Sequence, residues 1–289
     1  MIRNLRKVRI HPLFGVVVAV AYFGHFLGQV GVLFAVVILH ELGHVLAAHK
    51  CGYRTESVEL LPFGGVARLE CGTLGWHPRQ EVVIAASGPI VNGVLMMLAS
   101  ALHLLGWLPD DATSSFVAIN GTVLLFNLLP ALPLDGGRIA RAGISSGRGY
   151  YVATRMVIIM SFVLSCVLMA TGALSLWLGF TDAGVLALGL FLLVSAWSLA
   201  RDAQYDLMRF LDAKQREHPS RPQALHPIAV AGDATVADVA RTLRPDAYHV
   251  VYVRNVQPDE GFAGVVSEDA LLRGIFEQGM WTKPIRELL

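Results

Sequence analysis

Charge is scarce in this chain. Only 16% of its 289 residues are Asp, Glu, Lys or Arg, against about 25% in a soluble globular domain. Hydrophobic residues make up 54%, and the mean hydropathy is +0.55. This composition points to a membrane protein. Cysteine is scarcer still. Cys51, Cys71 and Cys166 are odd in number and form no Cys-x-x-Cys pair, so neither a disulfide framework nor a cysteine-ligated zinc site is expected. The apolar run that follows Arg3, Arg6, Lys7 and Arg9 has no small-residue cleavage pattern, and no cleavable signal peptide is expected.

What the chain has instead is long apolar stretches. Six can each cross a bilayer, which takes ~20 residues apiece: 12–27, 30–49, 81–105, 116–134, 156–178 and 183–199. The first is short, and Pro130 and Pro133 break the fourth. Basic residues fall in every second connection. Lys50, Arg54, Arg68 and Arg79 follow the second stretch, Arg138, Arg141, Arg148 and Arg155 the fourth, and Arg201, Arg209, Lys214, Arg216 and Arg221 the sixth. The intervening segments 28–31, 107–115 and 179–184 hold no Lys or Arg. Basic loops stay on the cytoplasmic side, so six spans with both termini in the cytoplasm are expected, in a multi-pass protein of the bacterial cell membrane.

The second stretch contains His40-Glu41-Leu42-Gly43-His44. Residues four apart share a helix face, so His40 and His44 can hold one metal ion between them. Glu41 stands beside the first ligand, placed to take a proton from water that the metal activates. Three ionisable groups within one helical turn are costly in lipid, and a buried hydrolytic metal site accounts for them. The topology puts that site ~9–15 Å below the cytoplasmic surface, at ~1.5 Å rise per residue. A catalytic zinc takes three protein ligands. The fourth stretch ends on the same side with Asn127-Leu128-Leu129-Pro130-Ala131-Leu132-Pro133-Leu134-Asp135-Gly136-Gly137, which makes Asp135 the candidate third ligand. Broken backbone at membrane depth is tolerated where it lines protein or a wet cavity.

His40-Glu41-x-x-His44, joined to Asn127-x-x-Pro130-x-x-Pro133-x-Asp135-Gly136, resembles the site-2 protease family of intramembrane metalloproteases. Leu61-Pro62-Phe63-Gly64-Gly65-Val66 is similar to that family's membrane-associated hairpin, and Ser87-Gly88-Pro89-Ile90-Val91-Asn92 to its Gly-Pro-x-x-Asn segment. The resemblance covers most of residues 8–200. It implies a zinc-dependent endopeptidase with His40, His44 and Asp135 as metal ligands and Glu41 as general base. Asn127 is then a catalytic candidate for a polar contact to substrate or oxyanion; helix–helix hydrogen bonding is its ordinary alternative. Asn92 reads as packing, and Gly88-Pro89 as a close-packed kink. The hairpin within 54–70 would offer its free edge to an unwound substrate strand.

After a charged linker at 201–224, expected to be helical and to lie at the membrane surface, the pattern changes. Strands are expected at 226–230, 249–253 and 261–266. One helix should be capped at Asp233-Ala234-Thr235 and carry Val236, Val239, Ala240 and Leu243; another should be capped at Ser267-Glu268-Asp269. This β-α-β-β-α order over 225–289 resembles one CBS unit. The expected fold is thus a polytopic six-helix membrane domain over 1–200, with a short β-hairpin, and a small cytoplasmic α/β CBS-like domain. The CBS resemblance implies pairing into a homodimer or higher oligomer, and an adenine nucleotide near Thr235, Ser267 and Asp269. Six spans, an early His11-Pro12 and a single CBS-like unit further resemble the sporulation branch of the protease family. That implies cleavage of a membrane-associated sigma-factor precursor, inhibitory membrane partner proteins, and residence in the membrane surrounding the forespore. No direct nucleic-acid partner is expected. A membrane metal transporter would leave Glu41 unexplained and would show repeated halves; a non-proteolytic regulatory scaffold need not keep all four of His40, Glu41, His44 and Asp135.

Overall fold

A computed structural model describes residues 8–10, 23–24, 27–53, 55–61, 64–69, 76–180, 183–216, 224–255 and 261–289. The expected first span at 12–27 lies almost wholly outside them. The chain forms two compact units, Met1–Leu74 with Arg79–Ile139, and Gly75–Pro78 with Ala140–Leu289.

In the first unit a short strand β1 (Val8–Ile10) pairs parallel with β2 (Thr55–Leu61), and β2 pairs antiparallel with β3 (Gly64–Leu69). The hairpin expected between 54 and 70 is therefore the outer part of a three-stranded sheet, with β3 at its edge. Three helices accompany it: α1 (Leu27–Lys50), α2 (Pro78–Leu104) and α3 (Asp110–Asn127). Strand β3 runs beside α1. Helices α1 and α2 approach closely at Gly43, where a Cβ would stand 2.8 Å from Val91 Cγ2 and 2.9 Å from the Ser87 carbonyl oxygen. Small residues permit such contact where lipid gives helices no hydrophobic reason to associate.

Residues 128–134 leave the helical path. Pro130 and Pro133 cannot donate to a helical ladder, and the Leu132–Pro133 bond is cis. The chain re-enters a helix at α4 (Asp135–Arg148). Gly136 and Gly137 are required there. A Cβ at Gly136 would lie 2.2 Å from the Leu128 carbonyl oxygen, and one at Gly137 2.4 Å from the Ala131 carbonyl carbon. The Asp-Gly-Gly sequence thus lets the turn fold back onto the start of α4.

In the second unit α5 (Tyr150–Trp177) and α6 (Gly184–Arg216) form an extensively packed pair. Together with α1 and α2 they are the four described helices long and apolar enough to cross a membrane. Helix α3 has 18 residues and is less apolar. Large apolar side chains such as Met97, Val163 and Val194 point outward, as a lipid environment permits. Helix α6 does not stop at the sixth apolar stretch. The segment expected as a linker is its continuation to Arg216, and Leu207, Phe210 and Leu211 of that continuation are buried in the core of the small domain.

That domain follows the expected order. Strand β4 (Ala224–Ala231) pairs parallel with β5 (Ala247–Arg254), and β5 pairs antiparallel with β6 (Phe262–Ser267). Helix α7 (Val236–Ala240) is capped by Thr235, α8 (Glu268–Phe276) by Ser267, and a 3-10 turn (Ile285–Leu288) ends the chain. Val236, Val239, Ala240 and Leu243 are all buried, as their helical spacing predicts. One ionic cluster lies in this core. The Lys214 ammonium on α6 is 3.0 Å from Glu268 Oε1 and donates to the Ala247 carbonyl at 2.8 Å. His249 Nδ1 lies 2.6 Å from Glu268 Oε2.

Candidate metal centre

Helix α1 presents His40 and His44 on one face, four residues apart, and both are buried. The turn before α4 brings Asp135 to them across 95 residues of sequence. Its Oδ2 is 3.1 Å from His40 Nε2 and 3.1 Å from His44 Nε2, and the two imidazole nitrogens are themselves 3.1 Å apart. These are the atoms that could hold a metal ion among the described residues. Ligands of a tetrahedral zinc stand roughly 3.3 Å apart, because each lies ~2.0–2.1 Å from the ion. The triangle of side chains fits that requirement.

The surroundings fit as well. His44 Nδ1 meets the Ile84 carbonyl oxygen at 2.7 Å, the outward hydrogen bond that fixes ring orientation and leaves Nε2 free to ligate. The Ser87 hydroxyl donates to the same carbonyl at 2.6 Å. Asp135 Oδ1 faces the Arg138 guanidinium at 3.8 Å, and Arg138 in turn faces the buried Glu81 at 4.0 Å. As a metal ligand Asp135 would act as its anion. Glu41, next to His40 on α1, is half-buried.

Gly88 does more than form a close-packed kink. A Cβ there would fall 2.4 Å from His44 Nε2 and 2.6 Å from His40 Nε2. The backbone of α2 passes over the ligating nitrogens, and only glycine leaves them room. Asn92, one turn further along the same helix, is fully buried, and neither end of its amide has a partner among the described residues. Such an orphan is expensive; four-residue spacing puts Asn92 on the same face of the helix as Gly88. Asn127, at the end of α3, donates to the Val123 carbonyl of its own helix at 3.1 Å. Among the described residues it neither bridges helices nor joins the ligand cluster.

The three residues assigned to a nucleotide have local work. Thr235 accepts from the Asp238 amide at 3.2 Å, and Ser267 from the Ala270 amide at 3.2 Å, each capping its helix. Asp269 accepts from the Tyr248 hydroxyl at 2.9 Å.

Comparison with known proteins agrees with this geometry. The family described as Peptidase family M50 matches residues 29–116 and 104–171, which include every residue of the metal cluster. A zinc metalloprotease of Methanocaldococcus jannaschii is 34% identical over 148 residues, 50% of this chain and 42% of that protein. The chain thus spans less than half the length of that relative. Stage IV sporulation protein FB of Bacillus subtilis is 26% identical over 248 residues, 86% of this chain and 84% of that protein. Among solved structures, the site-2 protease from Methanocaldococcus jannaschii superimposes with a TM-score of 0.52 at 27% identity, over 68% of this chain and 92% of that one. With the His-His-Asp cluster inside the matched region, the chain belongs to peptidase family M50, the site-2 protease family.

Proposed function

We propose that this protein is a zinc-dependent intramembrane endopeptidase. One observation carries the reading: two buried imidazoles and a buried carboxylate converge within 3.1 Å of one another with Glu41 adjoining. His40, His44 and Asp135 would hold the metal. Zinc, when bound, acidifies a water molecule and polarises the scissile carbonyl. Glu41 takes the proton of the attacking water and returns it to the leaving amide nitrogen. Asn92 or Asn127 would donate to the developing oxyanion. The outer edge of β3, beside the helix that carries both histidines, would receive an unwound substrate as an added strand.

The topology proposed is six spans with both termini cytoplasmic. The substrate proposed is a membrane-associated sigma-factor precursor, processed at the membrane around a forespore under restraint by inhibitory membrane partners. Support comes from similarity along most of the chain to a protein named for stage IV of sporulation. The C-terminal domain is proposed as a CBS-like regulatory and pairing module, with Thr235, Ser267 and Asp269 facing an adenine nucleotide.

The test is cleavage by purified protein in liposomes. Wild type should shorten a co-reconstituted precursor, and Glu41→Gln should lower the rate by about 10²–10⁴ while keeping one zinc per chain. Equal cleavage by both would end the proposal.

A further inference from the structure

A cavity of about 580 Å³ lies in the second unit, and none of the candidate metal ligands is among the residues that line it. Its wall divides by chemistry. Ile158, Ile159 and Phe162 of α5 supply an apolar side. Arg155 of α5, Arg201 of α6 and Arg241, just after α7, supply a cationic one. Arg155 and Arg201 lie where two membrane-length helices leave their apolar stretches on the side to which the basic loops belong. Twenty-two residues separate Arg155 from Trp177, ~33 Å of helix, about the thickness of a hydrocarbon core.

Arg241 shows that the cationic wall is built. Its guanidinium sits over the Tyr151 ring at 5.7 Å and the Trp281 ring at 5.9 Å. One terminal nitrogen is 3.2 Å from Asp238, which offsets part of its charge. Its Nε is buried with no acceptor among the described residues. Arg155 and Arg201 enter no ion pair among those residues. Three guanidiniums against one carboxylate leave net positive charge, together with an unanswered donor. The forked geometry of arginine suits phosphate oxygens.

We propose that this cavity binds an anionic phospholipid, its phosphodiester on Arg155, Arg201 and Arg241 and an acyl chain along Ile158, Ile159 and Phe162. Basic pockets at the cytoplasmic ends of membrane helices recognise head groups in this way. A free phosphate would use the arginines but not the apolar wall. Because Arg241 belongs to the small domain and the other two arginines to the membrane helices, one lipid would tie the domain to the bilayer.

The full-length protein, delipidated in detergent, is titrated with phosphatidylglycerol, with phosphatidylcholine of the same chains, and with inorganic phosphate, and occupancy is read by native mass spectrometry. Phosphatidylglycerol should bind saturably, at least about tenfold tighter than phosphatidylcholine. Arg155→Gln/Arg201→Gln/Arg241→Gln should abolish that preference, and Arg148→Gln, an exposed basic neighbour outside the cavity, should keep it. Arg155→Gln alone alters an exposed side chain, so it tests the site should the triple variant misfold; it should reduce the preference about threefold. Equal binding of the two lipids would overturn the proposal, as would an equal loss in Arg148→Gln. Displacement of phosphatidylglycerol by millimolar inorganic phosphate would mark a soluble-phosphate site instead.

Discussion

Gly88 shows how much of the metal centre rests on what is missing from a side chain. A methyl group there would occupy space 2.4–2.6 Å from both ligating nitrogens, and the atoms opposite are rings fixed by their own helix. Gly88→Ala should therefore lose zinc from about one per chain to near zero, by elemental analysis of purified protein, while helical content by circular dichroism is kept. A variant that retains full zinc would show that α2 can move aside. His40, Glu41 and His44 were legible in the sequence because the metal pair and base proposed for them need fixed helical spacing. Asp135 was legible because prolines and glycines mark a turn at the matching depth. Glu81, Ser87 and Arg138 were not, since their partners come from elsewhere in the fold and no local spacing announces them.

At the scale of elements, close approach and buried charge each make particular positions intolerant of change. Gly189 on α6 lies so near α5 that a Cβ would meet Met169 Cγ at 2.8 Å and the Met169 amide nitrogen at 2.9 Å. Gly189→Leu should push the pair apart and cost at least about 1–3 kcal/mol, seen as a lower detergent-unfolding temperature. Lys214 is the second case. Only 6% of its side chain is exposed, and Glu268 opposite is 5% exposed. Removing one partner of such a pair strands the other in low dielectric and costs about 3–5 kcal/mol. Lys214→Met should therefore destabilise the small domain strongly in thermal unfolding, and Lys214→Met/Glu268→Gln should recover part of the loss. The strands and caps of that domain follow from alternation and from Thr235 and Ser267. The helical character of 201–216 was expected, but its docking was not, because charged residues there read as a linker; only the burial of Leu207, Phe210 and Leu211 reveals a core face.

Over the whole molecule, the distribution of arginine and lysine implies an orientation that a reporter can check. A fluorescent protein fused after Leu289 should fold and glow in the cytoplasm, and alkaline phosphatase inserted within 107–115 should be active outside. The reverse pattern would invert the topology and move the metal ligands to the other half of the bilayer. Every residue placed at the metal centre belongs to the first compact unit, whose last segment ends at Ile139. The remaining 150 residues, from Ala140 to Leu289, carry the lipid cavity and the small domain. On the ribosome these parts emerge in that order. At ~5–20 residues per second, the candidate ligand set is complete roughly 8–30 s before Leu289 is added. The nascent chain thus has the means to bind metal before its C-terminal half exists, and any restraint that half exerts reaches a centre already assembled.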